Sequence, residues 1–171
     1  MIFLIGMMGS GKTSIGLTLS RLLGFEHVDT DDMISIPDIM TSRNEILLRQ
    51  KEYQALRRIT SISDSKSYII STGGGIILNP NCRSILQQYY NIYLQAPFKT
   101  LKERIVQQNV KRPILNNADS NFDDFQFQSL ISQREKLYNF IANQTLDTKK
   151  LNIDDSAEKL KTILLKNEII S

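Results

Sequence analysis

Short apolar runs and helical stripes alternate along the whole chain. Ile2-Phe3-Leu4-Ile5 is uninterrupted and β-rich, and a polar, glycine-rich turn follows it. Ile15, Leu19, Leu22 and Leu23 then fall on one stripe of a helix that Gly24 is placed to end. Continued to the end, the pattern predicts strands over 2–5, 25–28, 68–72, 90–94 and a less apolar 143–147. It predicts helices over 12–23, 44–62, 81–89, 97–109, 122–142 and 155–167, the last packing through Ala157, Leu160, Ile163, Leu164 and Leu165. Strand–helix alternation of this kind builds a parallel sheet covered by helices on both faces, with right-handed crossovers. The expected fold is therefore α/β, with ligands bound at the carboxyl ends of the strands. No internal repeat or linker divides residues 1–171, so one domain is expected. The polar stretch 110–121, with Pro113 inside it, is long for a compact domain and is a candidate lid.

Composition changes this picture little. A chain of 171 residues with 41% hydrophobic and 23% charged residues can bury about 70% of its unfolded surface. The net charge of +3 suits anionic small ligands as well as it suits nucleic acid. There is no basic block and no interleaving of aromatic with basic residues, so no nucleic-acid partner is expected, and no apolar stretch approaches membrane-spanning length. The single cysteine, Cys82, excludes an internal disulfide framework, fits a reducing compartment and reads as a buried or helix-start thiol. With the first strand starting at residue 2, no targeting segment is expected before it, and the expected setting is cytoplasmic. A monomer is expected. His27 is assigned no role, and Met7 and Met8 read as loop filler.

The turn after the first strand carries the chemistry. GMMGSGKT at 6–13 matches G-x-x-x-x-G-K-[ST] between a strand and a helix. Glycines let backbone N–H groups wrap a phosphate, and the helix N-terminus adds positive partial charge. Gly9, Ser10, Gly11, Lys12, Thr13 and Ser14 are thus candidates for holding ATP, with Lys12 on the β- and γ-phosphates and the Thr13 hydroxyl on Mg²⁺. The strand over 68–72 ends in Thr72-Gly73-Gly74-Gly75 without a carboxylate. The acids stand instead in Asp29-Thr30-Asp31-Asp32. If that segment is extended, Asp29 and Asp31 face one site, one towards Mg²⁺ and one towards an acceptor, while Asp32 or Asp31 is also placed to cap a short helix. Three consecutive glycines imply either a tight turn or a backbone surface against which a substrate lies. Arg112 lies in the candidate lid, placed to stabilise charge on a transferring phosphoryl group or simply to be solvated. Arg49 and Glu52, three apart on a helix, are either an oriented ligand arginine or a surface pair worth about 0.5 kcal/mol. Arg134, in the middle of a helix, reads by default as solvated.

Taken in order, GMMGSGKT, Asp29-Thr30-Asp31, Glu45-x3-Arg49-x2-Glu52, TGGG at 72–75, RPIL at 112–115, Arg134-x3-Tyr138 and Asp147-Thr148 resemble the shikimate kinase family over about residues 2–150. The resemblance implies a three-layer αβα P-loop kinase fold with a five-stranded parallel sheet, a small helical substrate-binding region over about 32–62 and a lid over about 110–121. It implies transfer of the ATP γ-phosphoryl group to the 3-hydroxyl of shikimate, with Mg²⁺ on Thr13 and Asp29. Lys12, Asp31 and Arg112 would be catalytic. Asp31, Arg49, Gly74, Gly75 and Arg134 would bind shikimate, with the two arginines on its carboxylate. The chain departs from the family pattern at Asn44, Met40 and Leu48 and in a shortened segment after Asp31, and Arg104 stands one residue out of register with the family's adenine-stacking arginine. The competing expectations are a kinase of the same fold acting on gluconate or a nucleoside monophosphate, a nucleotide-binding switch, and a non-catalytic ATP-binding protein. A switch is disfavoured by the lack of an Asn-Lys-x-Asp guanine motif.

Overall fold

The structure is a computed structural model that describes residues 1–34, 45–107 and 122–170. Arg112, the candidate lid 110–121, and Met40 and Asn44 of the substrate region lie outside the described residues. Five parallel strands form one sheet: β1 (Ile2–Ile5), β2 (Glu26–Asp29), β3 (Tyr68–Ser71), β4 (Tyr90–Gln95) and β5 (Gln144–Asp147), in the order β2-β3-β1-β4-β5. The six described helices are α1 (Lys12–Leu23), α2 (Glu45–Thr60), α3 (Pro80–Leu86), α4 (Phe98–Gln107), α5 (Asp124–Ile141) and α6 (Ile153–Lys166).

The unbroken apolarity of β1 follows from its central position, since side chains alternate faces and both faces are covered. Phe3 and Ile5 join Ile70 and Tyr93 in a core with Leu56 of α2, Leu86 of α3 and Tyr138 of α5. Ile2 and Leu4 join Ile69, Ile92 and Leu94 in a second core with Ile15 and Leu19 of α1 and Leu160 and Leu164 of α6. Each such aliphatic side chain contributes about 1.5–3 kcal/mol by burial. The αβα layering expected from the alternation is thus present.

The first helix starts where expected and the others within one or two residues of expectation, and side-chain caps explain where three of them fall. Asn79 accepts from the Asn81 amide with Pro80 at the first helical position, Asp123 accepts from Gln126, and Asn152 accepts from Asp155. Cys82 is buried in α3, and burial pushes its thiol up to about 12, which leaves it an inert packing group. Met7 is not loop filler: it is buried in the core beside Ile5, so the phosphate-loop backbone is anchored from below by its side chain.

Candidate active site

β1 lies between β3 and β4, and the chain reverses its direction of winding there, which opens a crevice at the carboxyl ends. Four segments meet at that edge: the loop after β1, the Asp29–Asp32 turn after β2, the glycines after β3 and Thr148 after β5.

In the first loop, Gly6, Gly9 and Gly11 have φ of 144°, 80° and 94°, a region that L side chains rarely adopt. The loop curls so that the Lys12 ammonium donates to the carbonyls of Gly6 and Met7, both at 2.9 Å. Thr13 at the start of α1 donates its hydroxyl proton to Asp29 Oδ2 at 2.7 Å. A hydroxyl and a carboxylate oxygen so placed are hard oxygen donors of the kind Mg²⁺ takes.

A cleft of about 370 Å³ opens beside this loop, lined among others by Gly9, Gly11, Ser14, Arg104, Thr148 and Asn152. Arg104 donates to Thr148 Oγ1 at 3.0 Å and to the Thr148 carbonyl at 2.6 Å, while the Thr148 hydroxyl donates to the Gln95 carbonyl at 3.1 Å. Arg104 therefore walls this cleft despite its one-residue offset, because α4 and the loop after β5 bring it to Thr148.

The Asp29–Asp32 segment corrects an expectation. Asp31 is not in an extended stretch. Thr30 is helical, with φ −64° and ψ −28°, and Asp31–Met33 form one 3₁₀ turn. Neither Asp31 nor Asp32 caps it: Thr30 stands at the N-cap without a side-chain cap, and Asp29 before it accepts from the Asp31 amide at 3.0 Å. This turn still carries Asp31 to the glycine surface: a Cβ on Gly73 would lie 2.5 Å from Asp31 Oδ1. Asp29 and Asp31 thus belong to one crevice through a turn, and not through strand alternation.

The glycines after β3 serve close approach. A Cβ on Gly75 would lie 2.0 Å from Arg49 Nη1, and one on Gly74 would lie 3.3 Å from the Gly6 carbonyl and 3.7 Å from Arg134 Nη1. The glycine surface is therefore pressed against the phosphate loop on one side and two guanidinium groups on the other. Arg134 is not solvated as its default reading had it, and Arg49 and Glu52 are not a surface pair. Arg134 is 2% exposed, and Glu52, at 4%, is as buried as the core. Arg49 Nη1 donates to both oxygens of Glu52 at 2.9 and 2.7 Å, and Nη2 to Glu45 at 3.2 Å. Burial holds the Glu52 carboxyl above the usual range against the pull of Arg49. The Nε atoms of Arg49 and Arg134 are both buried and make no hydrogen bond among the described residues. Buried donors of this kind call for an acceptor.

Several supporting residues were not anticipated. The buried Thr30 hydroxyl accepts from the Gly73 amide at 2.9 Å, locking the acidic turn to the glycine loop. Ser71 donates to the Lys12 carbonyl at 2.9 Å and so has its acceptor side left for His27 Nε2 at 3.0 Å, which fixes a proton on Nε2. Tyr138 donates to the Gly74 carbonyl at 2.5 Å. These contacts join residues more than 40 positions apart, so no local spacing announces them. Only Tyr138 had a signal, as the second member of Arg134-x3-Tyr138.

Comparison with known proteins bears on the family and the fold. The family model described as shikimate kinase matches residues 8–164. A shikimate kinase of Francisella tularensis subsp. novicida is 31% identical over 99% of this chain and 97% of its own length. One from Synechococcus elongatus is 41% identical over 67% of this chain, and the match spans 61% of that relative. The solved structure of shikimate kinase from Acinetobacter baumannii in complex with shikimate is 30% identical, with a TM-score of 0.86 over 99% of this chain and 94% of that one.

Proposed function

Because the chain belongs to the shikimate kinase family, we propose that it transfers the γ-phosphoryl group of ATP to the 3-hydroxyl of shikimate, giving shikimate 3-phosphate and ADP. The observation that carries the acceptor's identity is the buried Arg134 and the half-buried Arg49 flanking Gly74 and Gly75, each with a buried Nε donor lacking a partner among the described residues. A planar carboxylate satisfies such donors in a fork geometry. A neutral sugar offers no group that repays the burial of two guanidiniums.

In this mechanism the backbone of residues 9–14 holds the phosphates, and Lys12 leaves the Gly6 and Met7 carbonyls to compensate charge on the phosphoryl group in transfer. Thr13 and Asp29 are the residues that would hold Mg²⁺, which when bound neutralises phosphate charge. Arg104, Thr148 and Asn152 line the space for the nucleoside. Arg49, steadied by Glu52, and Arg134 bind the carboxylate, and Asp31 orients the attacking hydroxyl and accepts its proton. Arg112 serves as a further positive group on the phosphoryl, from its place in the RPIL motif. The protein acts as a monomer in the cytoplasm.

One experiment tests the assignment: ADP release measured with shikimate, gluconate, AMP, CMP and no acceptor. Stimulation by shikimate alone is expected. Stimulation by gluconate or a nucleotide in its place would reassign the acceptor, and acceptor-independent hydrolysis alone would remove it.

A further inference from the structure

Tyr138 is buried in α5 and has one hydroxyl proton to give. Its short bond to the Gly74 carbonyl takes that proton, and burial raises the phenol so that it stays protonated at any working pH. The Gly74 carbonyl also accepts from Arg134 Nη1 at 3.3 Å, which uses both of its lone pairs. The ring is held by stacking on Tyr93, with centroids 5.0 Å apart and planes 23° from parallel. The hydroxyl also lies 3.8 Å from Met7 Sδ, below the phosphate loop. Tyr138 therefore stands where the phosphate loop, the glycine surface and Arg134 meet.

Peptide planarity gives this contact a consequence. The C=O of Gly74 and the N–H of Gly75 belong to one trans peptide and point in opposite directions. A carbonyl pinned from the core aims the Gly75 N–H away from the core. That N–H makes no hydrogen bond among the described residues, and Gly75 is partly exposed. Without a Cβ on Gly74 or Gly75, no side-chain packing would set the plane of this peptide. The turn around it is closed by the Ile76 amide on the Gly73 carbonyl at 3.2 Å and the Leu78 amide on the Gly75 carbonyl at 3.0 Å, and the hydroxyl and Arg134 are the side-chain groups that hold the peptide itself.

We propose that Tyr138 is a positioning residue for the phosphoryl acceptor: its hydroxyl fixes the Gly74–Gly75 peptide so that the Gly75 N–H meets the acceptor and the acceptor lies in register with the phosphate loop. This rests on the assignment of the glycine surface to shikimate. Arg134→Lys would disturb the carboxylate and the peptide together, so it cannot separate the two effects. Tyr138→Phe removes only the hydroxyl and keeps the stacked ring.

The test is steady-state kinetics of the full chain, wild type against Tyr138→Phe, with Tyr93→Phe as a packing control and thermal melting of each. Tyr138→Phe is expected to raise the KM for shikimate about five- to tenfold and lower kcat, with the KM for ATP unchanged. Tyr93→Phe, whose hydroxyl makes no contact with the glycine surface, is expected to leave both constants unchanged. A Tyr138→Phe enzyme with wild-type shikimate kinetics would overturn the proposal. So would equal shifts in both KM values with a lowered melting temperature, since these mark a packing role alone. A wild type that ignores shikimate would remove the acceptor assignment itself, and the proposal with it, and is recognised before any variant is made.

Discussion

The two halves of the crevice are built by opposite means. On the nucleotide side, backbone does the binding: three glycines with positive φ curl one contiguous loop, and the one essential side chain, Lys12, rests on carbonyls of that same loop. On the acceptor side, side chains do the binding. Asp31, Arg49, Glu52 and Arg134 come from three elements, and the glycines there clear space for them and leave the Gly75 N–H to join them. A phosphate presents the same oxygens in every nucleotide, so a fixed backbone cradle suffices. An acceptor must be told from its analogues, and buried charges that go unsatisfied by the wrong molecule do this at a cost in stability. The first half is common to a large group of kinases. In the proposed mechanism the second half supplies the selectivity.

The sharpest way to break the nucleotide half is Lys12→Ala. It removes the only side-chain charge of the loop while leaving the glycine geometry intact. Turnover is expected to fall at least ~10³-fold in a protein with unchanged circular dichroism, because the charge is used where negative charge gathers in the transition state. Near-normal ADP production would show that the backbone alone suffices.

The join between the halves is the Asp29–Asp31 turn, and its two carboxylates belong to different sides. Asp31→Asn keeps the shape and is expected to lower kcat by about 10²-fold or more, whatever the Mg²⁺ concentration. Asp29→Asn loses the charge and leaves one acceptor oxygen for two donors, the Thr13 hydroxyl and the Asp31 amide, and extra Mg²⁺ is expected to restore part of its rate. A Mg²⁺ titration of both variants reads the difference, and rescue of the Asp31 variant alone would exchange the two roles.

The same contrast explains how far the sequence could be read. The phosphate loop was legible because all its parts are adjacent, and the sheet because each strand and helix carries its own period. Asp31 was placed at the site by an argument that failed in detail, since nothing local distinguished an extended Asp29–Asp31 from the 3₁₀ turn that Thr30 adopts. Arg49 and Arg134 were ambiguous by periodicity. A mid-helix arginine looks solvated until the tertiary fold buries it, and here Gly75 and Gly74 lie on the far side of the contact. Only the resemblance to a family tied these residues together. Thr30, Ser71 and Tyr138 act by hydrogen bonds to remote backbone, and such pairs leave no mark in the spacing of residues.

On the acceptor side, Arg49→Ala and Arg134→Ala are expected to cost about 2 kcal/mol or more each in kcat/KM for shikimate, roughly thirtyfold. The KM for ATP should hardly move. A rise confined to the ATP KM would transfer both arginines to the nucleotide half.

The smallest expected effect concerns Glu52, and it is a matter of pH. Its carboxyl is raised above the ordinary value of 4.5, first by burial and against the opposing charge of Arg49. The folded protein thus takes up this proton more readily than the unfolded chain. Glu52 alone therefore makes the fold less stable as pH rises from that ordinary value to the raised one, and contributes a constant penalty above it. Function runs the other way. Acidification removes the charge that holds Arg49, and it does so at a higher pH than for an exposed glutamate. The KM for shikimate should therefore rise by a few-fold on the acid side, beginning above the ordinary value of 4.5. Glu52→Gln keeps one acceptor oxygen for Arg49 and cannot titrate. It is expected to show a modestly raised KM that no longer changes with pH, together with a stability curve that has lost its decline across the same interval. If the acid limb of the KM profile survives in Glu52→Gln, it does not come from Glu52, and Arg49 is steadied without need of a charge there, with Glu45 at 3.2 Å from its Nη2.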